Sequence, residues 1–88
     1  MTCTVRIASP LHSYTSGAAR VEGRGRTLAE VLGDLDQRFP GIRFRMIDEQ
    51  SRIRPHMRLF VNSQEARDLS AAVSGGDTVH VICALSGG

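Results

Sequence analysis

Residues 78–88 read TVHVICALSGG, a β-branched run that passes without a break into two glycines. Val79, Val81 and Cys83 alternate with His80 and Ile82, the period of two that marks a half-buried strand. Glycine has no Cβ and loses more conformational entropy on ordering than any other residue, so Gly87 and Gly88 add nothing to a core. The pair reads either as a frayed end or as a segment whose use lies outside the core.

Working back from that strand, Ser74-Gly75-Gly76-Asp77 is a turn in which glycine supplies a positive φ. Before it, Leu69 and Val73 are expected on a semi-helical crossing segment, and Gln64 to Arg67 as a short edge strand. Met57-Arg58-Leu59-Phe60-Val61 is a strand closed by a turn at Asn62-Ser63. Residues 42–56 hold neither period for long and read as an extended connection with a helical turn near Arg45 to Asp48.

Towards the start of the chain, Leu28, Val31, Leu32, Leu35 and Phe39 recur at spacings of three and four, one stripe of a helix. Thr27 can cap its first turn while Glu30, three residues on, reaches back to the cap amide. Pro40-Gly41 stops it. Thr2 to Ala8 alternates with Cys3, Val5 and Ile7 inward, residues 11–17 form a loop, and Ala18 to Glu22 completes a hairpin.

Hairpin, helix, then two or three strands describe an α+β domain. Its mixed sheet of four or five strands carries one main helix on one face. A last strand returning beside the first would run parallel to it at the sheet centre, where buried Val and Ile are expected. Residues 1–83 are then the folded body and 84–88 a flexible tail. Cys3 would open one strand and Cys83 close its parallel neighbour, several residues apart along the sheet, so both thiols are expected reduced.

The composition bounds the rest. Eighty-eight residues make one small domain, and 41% hydrophobic with 23% charged residues fits an ordinary globular chain rather than a disordered one. No apolar run approaches the roughly 20 residues of a membrane span, and the first residues lack a secretory pattern, so a cytoplasmic location is the default expectation. The formal charge of +2 is too small to demand a polyanionic partner. All 11 basic residues are arginine, so the chain offers no side-chain amine for isopeptide attachment to itself.

Side-chain chemistry is sparse. His12, His56 and His80 have no second ligand at i+3 or i+4, and no C-x-x-C spacing exists, so zinc is not expected. Both cysteines occupy inward strand positions, where buried thiols are inert. Gly23-Arg24-Gly25 lacks the remaining glycines of a phosphate loop.

Arg43, Arg45, Arg52, Arg54 and Arg58 form a basic stretch, but Asp48 and Glu49 interrupt it and only Phe44 and Phe60 could stack on bases. A solvated face or a patch that steers an acidic protein fits better than nucleic acid. If Val79, Val81 and Cys83 point inward, His80 and Ile82 point outward, and Arg58 and Phe60 join them from the neighbouring strand. With no second helix to cover that face, Phe60 and Ile82 are either an apolar contact patch or two scattered surface hydrophobes.

The helix TLAEVLGDL, the strand LFVN, the turn SGGDTV and a last strand running into Gly-Gly together resemble the ThiS/MoaD sulfur-carrier proteins of the ubiquitin-like β-grasp superfamily. The resemblance spans the whole chain. It implies that the carboxylate of Gly88 is adenylated by an E1-like activating enzyme that uses ATP, converted to a thiocarboxylate, and its sulfur delivered to an acceptor held by a second biosynthetic enzyme. The chain is then a carrier and co-substrate rather than an enzyme, a monomer when free, binding no cofactor, nucleic acid or membrane.

By the same resemblance Gly87 and Gly88 carry the chemistry, and Arg58, Phe60, His80, Ile82, Leu85 and Ser86 meet the partners. A tail without Cβ atoms near its reactive end suits a narrow channel. Five residues beyond Cys83, fully extended, reach about 17 Å.

Thiamin-pathway carriers of this family are shorter between helix and third strand than residues 40–56 allow. The chain is similar in that respect to molybdopterin-synthase small subunits and to actinobacterial cysteine-biosynthesis carriers. The approach ALSGG lacks the proline of the molybdopterin proteins, which favours a carrier for cysteine or a sulfur-containing metabolite. The molybdopterin-synthase small subunit and a ubiquitin-like protein modifier are the alternatives.

Overall fold

The computed structural model describes residues 2–83. Strands β1 (Thr2–Arg6), β2 (Arg20–Arg24), β3 (Met57–Val61), β4 (Gln64–Ala66) and β5 (Thr78–Cys83) form one mixed sheet in the order β2-β1-β5-β3-β4. Helix α1 (Leu28–Arg38) lies on one face, and a short helix α2 (Ile42–Met46) follows it. β5 pairs parallel with β1, Val5 opposite Val79, and antiparallel with β3, Leu59 opposite Val81. The last strand is therefore central, as its Val-rich alternation predicts.

Between α1 and the sheet sit Val5, Leu28, Val31, Leu32, Leu35, Leu59 and Val79, each with no exposed surface. The register carries Cys83 six positions beyond Cys3 along the parallel pair, roughly 20 Å at strand spacing. Both cysteines are free thiols. Burial pushes the Cys3 thiol up from its ordinary value, and nearby Asp77 and Asp34 add to the shift against opposing backbone hydrogen bonds. A raised pKa leaves little thiolate at neutral pH, so Cys3 is unreactive as its inward position implies.

Helix α1 begins as expected at Thr27, whose Oγ1 accepts from the Glu30 amide. Glu30 reaches one residue further than a simple capping box: its Oε1 accepts from Arg26 N at 2.9 Å. Two more amides of the first turn are met by a different segment. Leu28 N donates to Ala71 O and Ala29 N to Leu69 O, both at 3.0 Å, and Val73 N returns a bond to Arg26 O.

This exchange is why Ala72 bridges Thr27 where a semi-helical crossing was expected, with Leu69 and Ser70 in a turn just before it. The carbonyls of Leu69 and Ala71 serve helix donors that would otherwise be orphaned. Leu69 and Val73 are nonetheless buried, as expected.

β2 starts and ends two residues later than the alternation suggests. Thr15, buried, donates its hydroxyl to Ala18 O, and Ile7 N donates to Ala19 O, so the hairpin closes only at Arg6 and Arg20. The strand then runs through Gly23, where a Cβ would stand 2.9 Å from Val31 Cγ1 and 3.0 Å from Val5 Cγ2. Glycine there is what lets α1 approach β2. Asp34 fastens the contact by accepting from Arg24 N and from Arg38, whose guanidinium also donates to Glu22 O.

The connection after α1 is more ordered than its lack of period suggests. Gly41, at φ 94°, turns the chain, and Asp36 Oδ1 accepts from Gly41 N and Arg43 N. The helical turn comes earlier than expected, at Ile42–Met46, because Ile42 and Met46 lie one turn apart and both bury completely. An Ile47–Ile53 bridge then closes a tight loop, with the Asp48 carboxylate accepting from the amides of Gln50 and Arg52. The Arg52 amide is the main cause that holds the Asp48 carboxyl below the usual range.

Candidate functional site

One face of the sheet is closed by α1; the other has no helix on it among the described residues. Alternation fixes what that open face presents. Arg58 and Phe60 project from β3, His80 and Ile82 from β5, and the register sets Arg58 opposite Ile82 and Phe60 opposite His80. Residues directly opposite on one face have Cβ atoms about 5 Å apart. The four described positions expected to meet partners therefore form one two-by-two block.

Exposure grades the block. Ile82 is 44% exposed and Arg58 is exposed, while Phe60 and His80 are half-buried. The apolar contact is thus centred on Ile82, with the Phe60 ring partly sheltered. Two further residues frame it. Arg6 of β1 stands opposite His80, and Glu65 of β4 opposite Phe60, with Glu65 Oε1 3.7 Å from Arg58 Nη1. Arg6 was within reach of the sequence, since it alternates with the inward Val5; Glu65 needs the β3–β4 register.

Leu85, Ser86, Gly87 and Gly88 lie outside the described residues. The chain leads to them from Cys83, which pairs with Met57 at the first residue of β3. The open face and Cys83, the last described residue, thus share the β3–β5 pair. At the opposite end, the turn into β5 is fixed by Asp77, which accepts from Ser74 N and from Asn62 Nδ2. Those hydrogen bonds, the Ser74 amide first, lower its pKa.

The histidines do not converge. His12 Nε2 donates to Ile7 O at 2.8 Å and so serves the loop after β1. Among the described residues no group of three or more His, Cys, Asp or Glu is arranged to hold a metal ion. Likewise, no helix among them is long and apolar enough to cross a membrane. What the open face offers is a mixed apolar and basic surface for contact, on the strand that precedes residues 84–88.

Comparison with known proteins places this arrangement. A family model described as the ThiS family matches residues 5–88. The sulfur carrier protein CysO of Mycobacterium tuberculosis (strain ATCC 25618 / H37Rv) is 33% identical over 93 residues, covering 100% of both chains.

Among solved structures, a chain in the Amycolatopsis orientalis BexX/CysO complex superposes with a TM-score of 0.92 at 32% identity, over 98% of this chain and 99% of that one. The crystal structure of Mycobacterium tuberculosis CysO gives 0.89 at 31%, over 94% and 99%. With the family model covering nearly every residue and relatives above 30% identity along the full length, the chain belongs to the ThiS family of ThiS/MoaD-type sulfur carriers with the ubiquitin-like β-grasp fold.

Proposed function

We propose that the protein carries sulfur for cysteine biosynthesis on the C-terminal carboxyl of Gly88. A carboxylate oxygen of Gly88 attacks the α-phosphorus of ATP in the activating enzyme, releasing pyrophosphate and leaving an acyl adenylate. A hydrosulfide sulfur then attacks the carbonyl carbon, AMP departs with its bonding electrons, and loss of the S–H proton leaves a thiocarboxylate. The thiocarboxylate sulfur next displaces a leaving group from an electrophilic carbon on the acceptor bound by a second enzyme, and hydrolysis of the resulting thioester releases the sulfur on the acceptor and restores the Gly88 carboxylate. This chain contributes the carboxyl group and the docking face; ATP and the bond-making groups belong to the partners.

The observation that carries this reading is full-length identity of 33% to CysO, named a sulfur carrier protein. The open block of Arg58, Phe60, His80 and Ile82 supports it, because a partner that grips that face sits on the strand leading to Gly88. A structure of CysO in complex with BexX gives a precedent for a relative of this chain held by another protein.

Intact mass spectrometry after co-expression with the activating enzyme tests the chemistry. Replacement of one oxygen by sulfur, abolished when Gly88 is deleted, is the expected result. Ladders of conjugates on lysines of other proteins, with no thiocarboxylate, would instead identify a protein modifier.

A further inference from the structure

We infer that the segment around α2 and the start of β3 is a second docking site, built to take an acidic segment of the enzyme that receives Gly88. Residues 43–58 hold five arginines against two acids, a formal +3 where the whole chain carries +2. All of the chain's excess positive charge is therefore gathered here. Among the described residues, the ion pairs are Arg38 with Asp34 and Arg58 with Glu65; Arg43, Arg45, Arg52 and Arg54 have no carboxylate within 4.0 Å.

Arg54 is the centre of the site. Its Nε donates to Phe44 O at 2.8 Å, and its guanidinium carbon lies 4.5 Å from the centroid of the Phe44 ring. The planar group is thus stacked on one face and tethered at one nitrogen, with its Nη atoms left to meet a ligand. A guanidinium fixed in this way loses little rotamer freedom on binding a carboxylate, which it can grip through two parallel hydrogen bonds. Phe44 is the most exposed large hydrophobic residue among those described, at 54%. An apolar ring held at the surface by a cation is an anchor point rather than a fold element.

Arg54 also forms the shared wall of two grooves. One, of about 240 Å³, is lined by Phe44, Arg45, Arg54 and His56. The other, of about 570 Å³, runs along Ile53, Pro55, Met57 and Arg58 towards β4. An extended peptide fits such a pair, with an acidic side chain in the Arg45–Arg54–His56 groove and its neighbour along Met57. The Phe44 ring is already engaged by Arg54, which disfavours base stacking by a nucleic acid.

Placement identifies the partner. Met57 in the larger groove is the residue opposite Cys83, so the site flanks the point from which residues 84–88 continue. An enzyme that takes in Gly88 has to approach this end of the sheet; naming it as the partner rests on the proposed function, whereas binding of an acidic segment does not.

The test is an NMR titration of the full chain with an acetylated, amidated peptide of sequence Glu-Glu-Leu-Glu-Glu, its all-Gln counterpart, and an oligothymidylate. The acidic peptide should give saturable shifts at the amides of Phe44, Arg45, Arg54 and His56, weakened at least about fivefold by Arg54→Gln or Phe44→Ala with the fold retained. Deleting Gly87 and Gly88 should leave these shifts in place, so failure of the sulfur chemistry and failure of the site are separate outcomes. Equal shifts around Arg20 and Arg24, unaltered affinity in Arg54→Gln, binding of the Gln peptide, or tighter binding of oligothymidylate would each overturn the proposal.

Discussion

The two faces of the central strand β5 are built from the same few residue types and do opposite things. Val79 and Val81 turn towards α1, at 0% and 4% exposure, whereas one residue away Ile82 is 44% exposed opposite Arg58. Burial of an aliphatic side chain is favourable by about 1.5 to 3 kcal/mol, and the open face forgoes much of that at Ile82. A surface that leaves apolar area in water on a strand is one that another protein can cover. The helix side holds the domain together, and the open side is the one proposed here for recognition.

That contrast breaks most sharply on the covered side. Replacing Leu32, which has no exposed surface, by Ala should cost about 2 to 5 kcal/mol through lost burial and the cavity left behind. Thermal unfolding checks it: a drop in Tm on the order of 10 °C or more is expected, since 1 kcal/mol shifts a domain of this size by about 4 to 8 °C. A smaller change would mean that α1 collapses into the gap.

On the open side the signs separate. Ile82→Glu should change stability by less than about 1 kcal/mol, yet raise the activating enzyme's KM for the carrier at least about tenfold, with kcat little altered. Loss of stability comparable with Leu32→Ala would erase the distinction between the faces; an unchanged KM would move the docking surface elsewhere.

The smallest effect belongs to the turn that starts β5 for both faces alike. Asp77 has its carboxyl lowered by hydrogen bonds from the Ser74 amide and Asn62. A lowered folded pKa stabilises above the unfolded value and loses that contribution as pH falls through the folded one. Asp77→Ala should therefore melt below the parent protein at pH 7. The gap between the two should narrow as pH drops below the ordinary value of 3.8, which scanning fluorimetry from pH 7 to acid would follow.

The same contrast explains what the sequence made legible. Period-two segments with one buried face, β3 and β5, are found at their expected limits, and α1 differs by a residue, because side-chain alternation alone specifies them. The block of Arg58, Phe60, His80 and Ile82 follows from that alternation plus the pairing of β3 with β5. Elements set by non-local bonds were harder to read. α2 rests on Asp36 accepting from its first residues, the 69–73 segment on donors of α1, and the late start of β2 on the Ile7 amide donating to Ala19 O. Phe44 is legible in the sequence only as one of two aromatics in the basic stretch; its stacking on Arg54 depends on a loop closed by Ile47 and Ile53.

The order β2-β1-β5-β3-β4 bears on synthesis as well as on stability. β5 is the last described element to leave the ribosome and the middle strand of the sheet, so neither half can be joined to the other until it arrives. Pairing the first strand with the last is also the slowest kind of contact to form, since nearly the whole chain has to be closed into a loop. A nascent chain interrupted before residue 78 lacks both the strand that completes the core and the His80–Ile82 half of the open face. On the function proposed above, only a chain translated through β5 would present itself to an activating enzyme, and the topology would screen out unfinished products before ATP is committed to them.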